Sequence, residues 1–280
     1  MSKIEYLSLE GLRVDGRRLN ELRNAEILCG GEFGVDVINY DGMAQVTQGL
    51  TKVQAFIKGP IEMVKNKQRC PYETKDDVAD IQCEVIMPCE KRSMPSKSER
   101  QTADLMQAVI TTFERIIIPH QYKNSSIQVF VNILEADGGV KSTVLNAVLI
   151  ALVDAGIAMN DLIAACTCIM LNGQLFIGMV HENGNIWLPS DPNQLEINGA
   201  VMELTVAFST STDEVRTHTT LFTLLQIIYI DLSSEHPIKS ITEIIESSMR
   251  GSKQFSELAR TKLKKYAENV LELNSIIHNL

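Results

Sequence analysis

The fold is decided by three consecutive segments: Ser126-Ile-Gln-Val-Phe-Val-Asn-Ile-Leu134, the turn Asp137-Gly-Gly139, and the apolar run from Ser142 to Ala155. The first segment alternates apolar and polar residues, which predicts a half-buried strand. Two consecutive glycines predict a sharp turn, and the apolar run that closes at Gly156 predicts a buried helix. A strand, a turn and a helix in this order indicate a protein of mixed α and β structure.

The flanking segments continue the mixture of strands and helices. Further strands are predicted at 52–58, 78–87, 162–171, 174–180, 200–208 and 221–232, and helices at 99–117 and 238–277. Gly59-Pro60 is interpreted as the end of the first of these strands, and Pro119 as the end of the first helix. Polar stretches predict loops at 61–78, 88–98 and 181–199 and an exposed hairpin tip at 209–220. Because no Pro/Gly-rich linker interrupts the chain, we expect one compact α/β unit over residues 1–280.

Composition and charge limit which classes of protein this chain can belong to. The 280 residues are 45% hydrophobic and 22% charged, which is typical of a globular protein. No apolar run reaches the roughly 18 residues of a membrane-spanning helix, and the N-terminus has no apolar leader, so we expect a soluble intracellular protein. The net charge of -9 argues against a general attraction to nucleic acid. Basic residues nevertheless cluster in three groups, which form either local patches or solvated loops: Arg17, Arg18 and Arg23; Lys65, Lys67 and Arg69; and Lys91, Arg92, Lys97 and Arg100.

The six cysteines do not predict a metal site. They lie at positions 29, 70, 83, 89, 166 and 168, without a Cys-x-x-Cys pair. Cys166 and Cys168 occur in an apolar strand, where alternation places both on one face. We therefore expect buried, reduced thiols and no bound metal.

Three ordered blocks of residues resemble the RNase PH family. The blocks are Gly11-Leu-Arg-Val-Asp-Gly-Arg-Arg-Leu-Asn-Glu-Leu-Arg23; Gln48-Gly-Leu-Thr-Lys52 with Gly59-Pro-Ile-Glu62; and Leu134-Glu-Ala-Asp-Gly-Gly139 with Asn146-Ala and Leu152-Val-Asp-Ala-Gly-Ile-Ala-Met-Asn-Asp161. More narrowly, they resemble the exosome ring subunit whose archaeal relatives carry a phosphorolytic active site. The resemblance covers roughly residues 5–265.

The resemblance implies a fold and an assembly. The expected fold consists of β-α-β-α units with mixed sheets, similar to domain 2 of ribosomal protein S5, with an N-terminal part at about 20–160 and a C-terminal part at about 161–270. It also implies a hetero-hexameric ring of RNase PH-like subunits that is capped by S1/KH-type proteins. A hydrolytic exoribonuclease docks against such rings, and single-stranded RNA threads their central channel. The implied location is the nucleus, including the nucleolus, and the cytoplasm.

The positions that match the family's active site have lost the groups that phosphorolysis needs. Active relatives hold phosphate at the turn with a hydroxyl or glycine followed by Arg, whereas this chain has Val140 and Lys141. Lysine keeps the charge but not the bidentate fork of arginine. Two carboxylates of active relatives correspond here to Asn172 and Gly178, which carry no charge. Because removing one stabilising group commonly costs about 10²–10³ in rate, we expect no catalytic residue, no metal and no cofactor.

Basic residues remain as candidate RNA contacts. The resemblance places Lys67 and Arg69 on a loop that faces the channel and Arg100 at a phosphate-contacting position, while Lys141 is a fourth candidate. The alternative for each is a solvated surface charge. The sequence therefore predicts a non-catalytic, RNA-channel-lining exosome subunit. Two alternatives stay open: an active phosphate-dependent 3′-to-5′ exoribonuclease that uses unusual residues, and a protein that shares the fold but joins no ring.

Overall fold

The computed structural model describes residues 12–13, 15–18, 21–33, 39–62, 80–88, 95–123, 125–171, 186–188, 191–210, 227–234 and 241–278. Within these ranges the strands are β1 Ala25–Cys29, β2 Gly42–Gln48, β3 Thr51–Glu62, β4 Asp80–Ile86, β5 Ser125–Glu135, β6 Ile163–Leu171, β7 Ile186–Leu188, β8 Ala200–Ser209 and β9 Ile227–Ser234. The helices are α1 Pro95–Phe113, α2 Val140–Asp154, α3 Gln194–Asn198 and α4 Ile241–His278. The predicted tip at 209–220 and the predicted strand at 174–180 lie largely or wholly outside the described residues.

The strands form two sheets, one of them mixed. The first has the order β1-β2-β3-β5-β4, and all its pairs are antiparallel except the parallel pair β4/β5. The second has the order β7-β6-β8-β9 and is antiparallel. In β5 the alternation predicted from the sequence is confirmed, since Ile127, Val129, Val131 and Ile133 are all buried.

The prediction that Gly59-Pro60 ends a strand was wrong. β3 continues through this dipeptide to Glu62, and Ile61 pairs with Ser126 after a register shift. The Gly59 backbone N–H donates to Asp41 Oδ2 at 2.7 Å, so it is satisfied outside the strand ladder. A proline is tolerated at such a bulge because the bulge needs no regular ladder hydrogen bond there.

Both predicted ends of the first long helix were also misplaced. α1 begins at Pro95, within the predicted loop, and a proline suits the first turn because its missing N–H would be unpaired there anyway. The helix ends at Phe113, where the N–H groups of Ile116 and Ile117 both bond back to the Phe113 carbonyl. Pro119 begins a separate short 3₁₀ turn. The apolar residues therefore keep helical spacing up to Pro119, although the helix itself ends at Phe113.

Helix α2 lies between the two sheets. Every residue from Ser142 to Leu152 is buried, as expected of a helix that is mostly apolar around its whole circumference. It packs against β2 and β3 on one side and against β6 and β8 on the other. The main hydrophobic core accordingly contains residues from both sheets, such as Val53 and Ala165.

A second, smaller core fills the space between β6, β8 and α4. It contains Cys166 and Cys168 together with Leu204 and Val206, so the prediction that both thiols lie buried on one strand face is confirmed. The hydrogen bond to Cys168 and burial raise the pKa of Cys166 well above its ordinary value. In the described ranges no helix is long and apolar enough to cross a membrane.

Candidate functional site

The glycine turn before α2 is the centre of the candidate site. Gly138 and Gly139 have φ values of 84° and 59°, the left-handed region that favours glycine. A Cβ on Gly138 would lie 2.4 Å from the Pro192 carbonyl oxygen, so the loop before α3 leaves no room for a side chain. Thr51 holds the turn from the opposite side, because its hydroxyl donates to the Gly138 carbonyl at 2.8 Å.

A buried arginine clamps this turn to a distant aspartate. Arg23 donates through Nε to Asp191 Oδ2 at 2.7 Å and through Nη2 to Asp191 Oδ1 at 2.5 Å, a bidentate arrangement. The same guanidinium donates to the carbonyls of Asp137 at 2.8 Å and Gly138 at 3.1 Å. Arg23 is only 7% exposed and Asp191 1%. The conformation of the turn therefore depends on two charges that lie 168 positions apart in the sequence.

A second buried ion pair lies next to the first. Arg13 donates from Nε to Glu196 Oε1 at 2.9 Å and also binds Glu196 Oε2, and both side chains are fully buried. Glu196 closes a capping box with Asn193 at the start of α3: each side chain accepts a hydrogen bond from the other residue's backbone N–H. We call Arg13, Arg23, Asp191 and Glu196 the arginine network.

The arginine network was missed in the sequence. Residues 181–199 were predicted to form a loop, whereas β7 and α3 both lie within that stretch. The spacing Asn193-x-x-Glu196 matches a capping box and could have indicated the helix. No local signal relates Arg23 to Asp191, since 168 positions separate them.

Lys141, in the first turn of α2, is paired with an acid. Its ammonium bonds to the Asp231 carboxylate on β9, and the two side chains are 32% and 33% exposed. Glu203 on β8 is a second acid beside them. Burial raises the pKa of Glu203, Lys141 lowers it, and Asp231 raises it. Lys141 is thus ion-paired with Asp231 and lies near enough to Glu203 to favour its charged form. We call Lys141, Glu203 and Asp231 the lysine cluster.

The structure describes three of the seven predicted site positions. Val140 is half-buried against the main core, Lys141 belongs to the lysine cluster, and Arg100 is exposed in the second turn of α1. The other four, Lys67, Arg69, Asn172 and Gly178, lie outside the described residues. Among the described side chains, no three His, Cys, Asp or Glu residues converge as metal ligands would.

Known proteins resemble this chain over most of its length. Residues 29–158 match the 3′ exoribonuclease family, domain 1 (RNase PH). The chain is 31% identical to an exosome complex component RRP41 homolog from Arabidopsis thaliana, covering 96% of this chain and 98% of the relative. It is 28% identical to exosome complex component ski6 from Schizosaccharomyces pombe, covering 97% and 98%. The Rrp41 component from Thermoplasma volcanium is 30% identical over 66% of this chain and 71% of its own.

Solved structures share the arrangement of sheets and helices. Rice (Oryza sativa) Rrp46 superposes with a TM-score of 0.67 at 21% identity, covering 90% of this chain and 100% of that one. A chain of the Archaeoglobus fulgidus exosome with RNA bound to the active site gives a TM-score of 0.62 at 18% identity, covering 89% and 92%. At these identities the likeness concerns the fold alone.

Proposed function

The chain belongs to the RNase PH family, and we propose that it is a non-catalytic, RNA-channel-lining subunit of an exosome ring. In this role it supports 3′-to-5′ RNA processing and degradation by associated nucleases. The RNase PH-like fold expected from the ordered blocks of residues is confirmed, and one of its two sheets is mixed.

The loss of two carboxylates carries the proposal of inactivity. Phosphorolysis brings a phosphate nucleophile against a phosphodiester, so it needs groups that offset repulsion between anions and acids that hold a metal or move a proton. An amide stands at Asn172 and no side chain at Gly178, where active relatives have carboxylates. The ion pair of Lys141 with Asp231 supports the same conclusion, because this cation is already neutralised within the chain.

The proposed partners follow from the relatives. They are other RNase PH-like subunits in a hetero-hexameric ring, S1/KH-type cap proteins, a hydrolytic exoribonuclease and single-stranded RNA. We propose no membrane partner. Names that identify relatives as exosome components support the ring assignment. We propose the nucleus, including the nucleolus, and the cytoplasm as locations. We also propose one domain over 1–280, and the core shared by both sheets supports it.

A turnover assay tests the proposed inactivity. The ring is reconstituted without a hydrolytic nuclease and incubated with single-stranded RNA, magnesium and inorganic phosphate. We expect no release of nucleoside diphosphates, whereas an archaeal phosphorolytic ring assayed in parallel releases them. Phosphate-dependent release that disappears when this chain is left out of the ring would support the alternative, an active phosphorolytic exoribonuclease.

The proposed RNA contacts are tested by reversing charge. Lys67→Glu with Arg69→Glu should shorten the RNA that the assembled ring protects from nuclease, because cations contact the RNA backbone without base specificity. Arg100→Glu should have a smaller effect, since one cation is reversed instead of two. The matched control reverses Lys264 and Lys265, two exposed cations on α4. Equal protection by the Lys67/Arg69 variant and the control would contradict the channel assignment.

A further inference from the structure

The ion pair between Lys141 and Asp231 joins α2 to the edge strand of the second sheet. Lys141 extends from the first turn of α2, and the Asp231 carboxylate on β9 meets its ammonium. Both side chains are about one third exposed, so the pair borders solvent. A solvent-facing lysine without such a partner would be open to anions.

The register of the second sheet places Glu203 on the same face as Asp231. Asp231 pairs with Thr205, and Glu203 lies two residues before Thr205 on β8. The Thr205 hydroxyl bonds to Thr167, whose hydroxyl in turn bonds to Ser142 of α2, so this face of the sheet points toward α2. Alternation with period two puts the carboxylate of Glu203 on that face as well.

The charges of the lysine cluster do not sum to a positive value. One ammonium faces two carboxyl groups, so the net charge is negative when Glu203 is ionised and zero when it is protonated. Arg115 is another described cation that contacts β9, and it donates to the Ile228 carbonyl at 2.8 Å. Ile228 lies three residues from Asp231, about 10 Å along a strand, which is about one Debye length in physiological salt. Arg115 is therefore largely screened from the cluster.

We propose that Asp231 is the built-in counter-ion of Lys141 and that it keeps phosphate and RNA phosphodiester groups away from this end of α2. Asp231 thereby decides which ligands the region accepts. Without its charge, Lys141 would lose its ion-pair partner where the helix dipole also favours anions. The inference goes beyond the proposed lack of catalysis, because it concerns binding of anions and not turnover.

The pair can be broken without unfolding the protein. Partly exposed ion pairs contribute little to stability, since solvent screens them. Asp231→Asn keeps the size and one hydrogen-bonding oxygen while it removes the charge. Glu203→Gln lowers the negative charge of the same cluster and is the second variant. Glu246→Gln on the exposed side of α4 is the matched control, because it changes the net charge of the chain equally at a distance.

The experiment measures binding of two probes to the reconstituted ring. One arm titrates inorganic phosphate, and the other titrates a short single-stranded RNA in phosphate-free buffer. We expect Asp231→Asn to bind phosphate more tightly than the wild type by up to about fivefold, the upper end of one surface charge interaction. Glu203→Gln should give a smaller gain. Tighter RNA binding in addition would support the inference for both anions. A gain for phosphate alone would support it for the small anion and contradict it for RNA.

The double variant Asp231→Asn/Lys141→Met assigns the gain to Lys141. It should return to wild-type affinity, because the freed ammonium is gone. A gain no larger than that of Glu246→Gln, or one that persists in the double variant, would overturn the inference. Turnover by the wild-type ring would instead contradict the proposed function, so the two failures are distinguishable.

Discussion

The two charged regions that flank the glycine turn differ in burial more than in composition. In the arginine network, Arg13 and Glu196 are fully buried and Arg23 and Asp191 nearly so, and each cation is held by several hydrogen bonds. In the lysine cluster, one ammonium meets Asp231 at a surface one third exposed. Buried charges must be paired to be tolerated at all, whereas exposed pairs can exchange their partners for solvent or a ligand. The first region therefore determines structure, and the second determines what can bind.

The largest expected effect is the difference in stability loss between two equivalent substitutions, each of which replaces a cation with methionine in one of the two regions. Arg23→Met should lower the free energy of unfolding by about 3–5 kcal/mol, because Asp191 is left buried without its counter-ion. Lys141→Met should lower it by less than about 1 kcal/mol, since Asp231 is then solvated. Urea denaturation of the two variants measures the difference. Similar losses would show that burial does not separate the two regions.

An intermediate effect is expected at the turn itself. Gly138→Ala forces an L side chain into the left-handed region and against the Pro192 carbonyl, so we expect a loss of about 2 kcal/mol or more. Gly16→Ala is the control, because Gly16 has a similar φ of 78° but, among the described residues beyond its chain neighbours, no atom within 4 Å of its Cβ position. Thermal unfolding of both variants gives the stability that each one loses. The additional loss in Gly138→Ala is the cost of the clash with the loop before α3. An equal loss in both variants would mean that this approach contributes nothing.

The smallest expected effect depends on pH. The pKa of Glu203 is raised in the folded protein, chiefly by burial, so folding favours its protonated form. Stability is lost as pH rises through this pKa, because the carboxylate must then be charged in a partly buried place. Glu203→Gln should therefore be more stable than the wild type at pH 7, and the advantage should shrink toward about pH 4. Melting temperatures of the two proteins at both pH values test this, and an advantage independent of pH would contradict the burial argument.

The features that follow from neighbouring residues could be predicted from the sequence. The alternation of apolar and polar residues predicted β5, the glycine pair predicted the turn, and the apolar run predicted α2. Errors arose where tertiary contacts override a local signal. The bulge in β3 accommodates Gly59-Pro60 within the strand. Apolar residues keep helical spacing up to Pro119, although α1 ends at Phe113.

The site was less predictable than the fold. The ordered blocks led to the family, and through it to Val140 and Lys141, but the partner of Lys141 lies 90 positions away on another strand. The arginine network is more remote still, with 168 positions between Arg23 and Asp191 and 183 between Arg13 and Glu196. Two opposite charges that are so far apart in the sequence produce no periodic pattern from which their pairing could be predicted. Only the three-dimensional arrangement shows which arginine neutralises which acid.

These long separations set an order of events during synthesis. A ribosome adds about 5–20 residues per second, so Arg23 waits roughly 8–34 seconds before its acid Asp191 has even been made. Throughout that interval the guanidinium can remain hydrated, and the glycine turn lacks the clamp that fixes it in the finished protein. The nascent N-terminal half therefore lacks this clamp until Asp191 has been made.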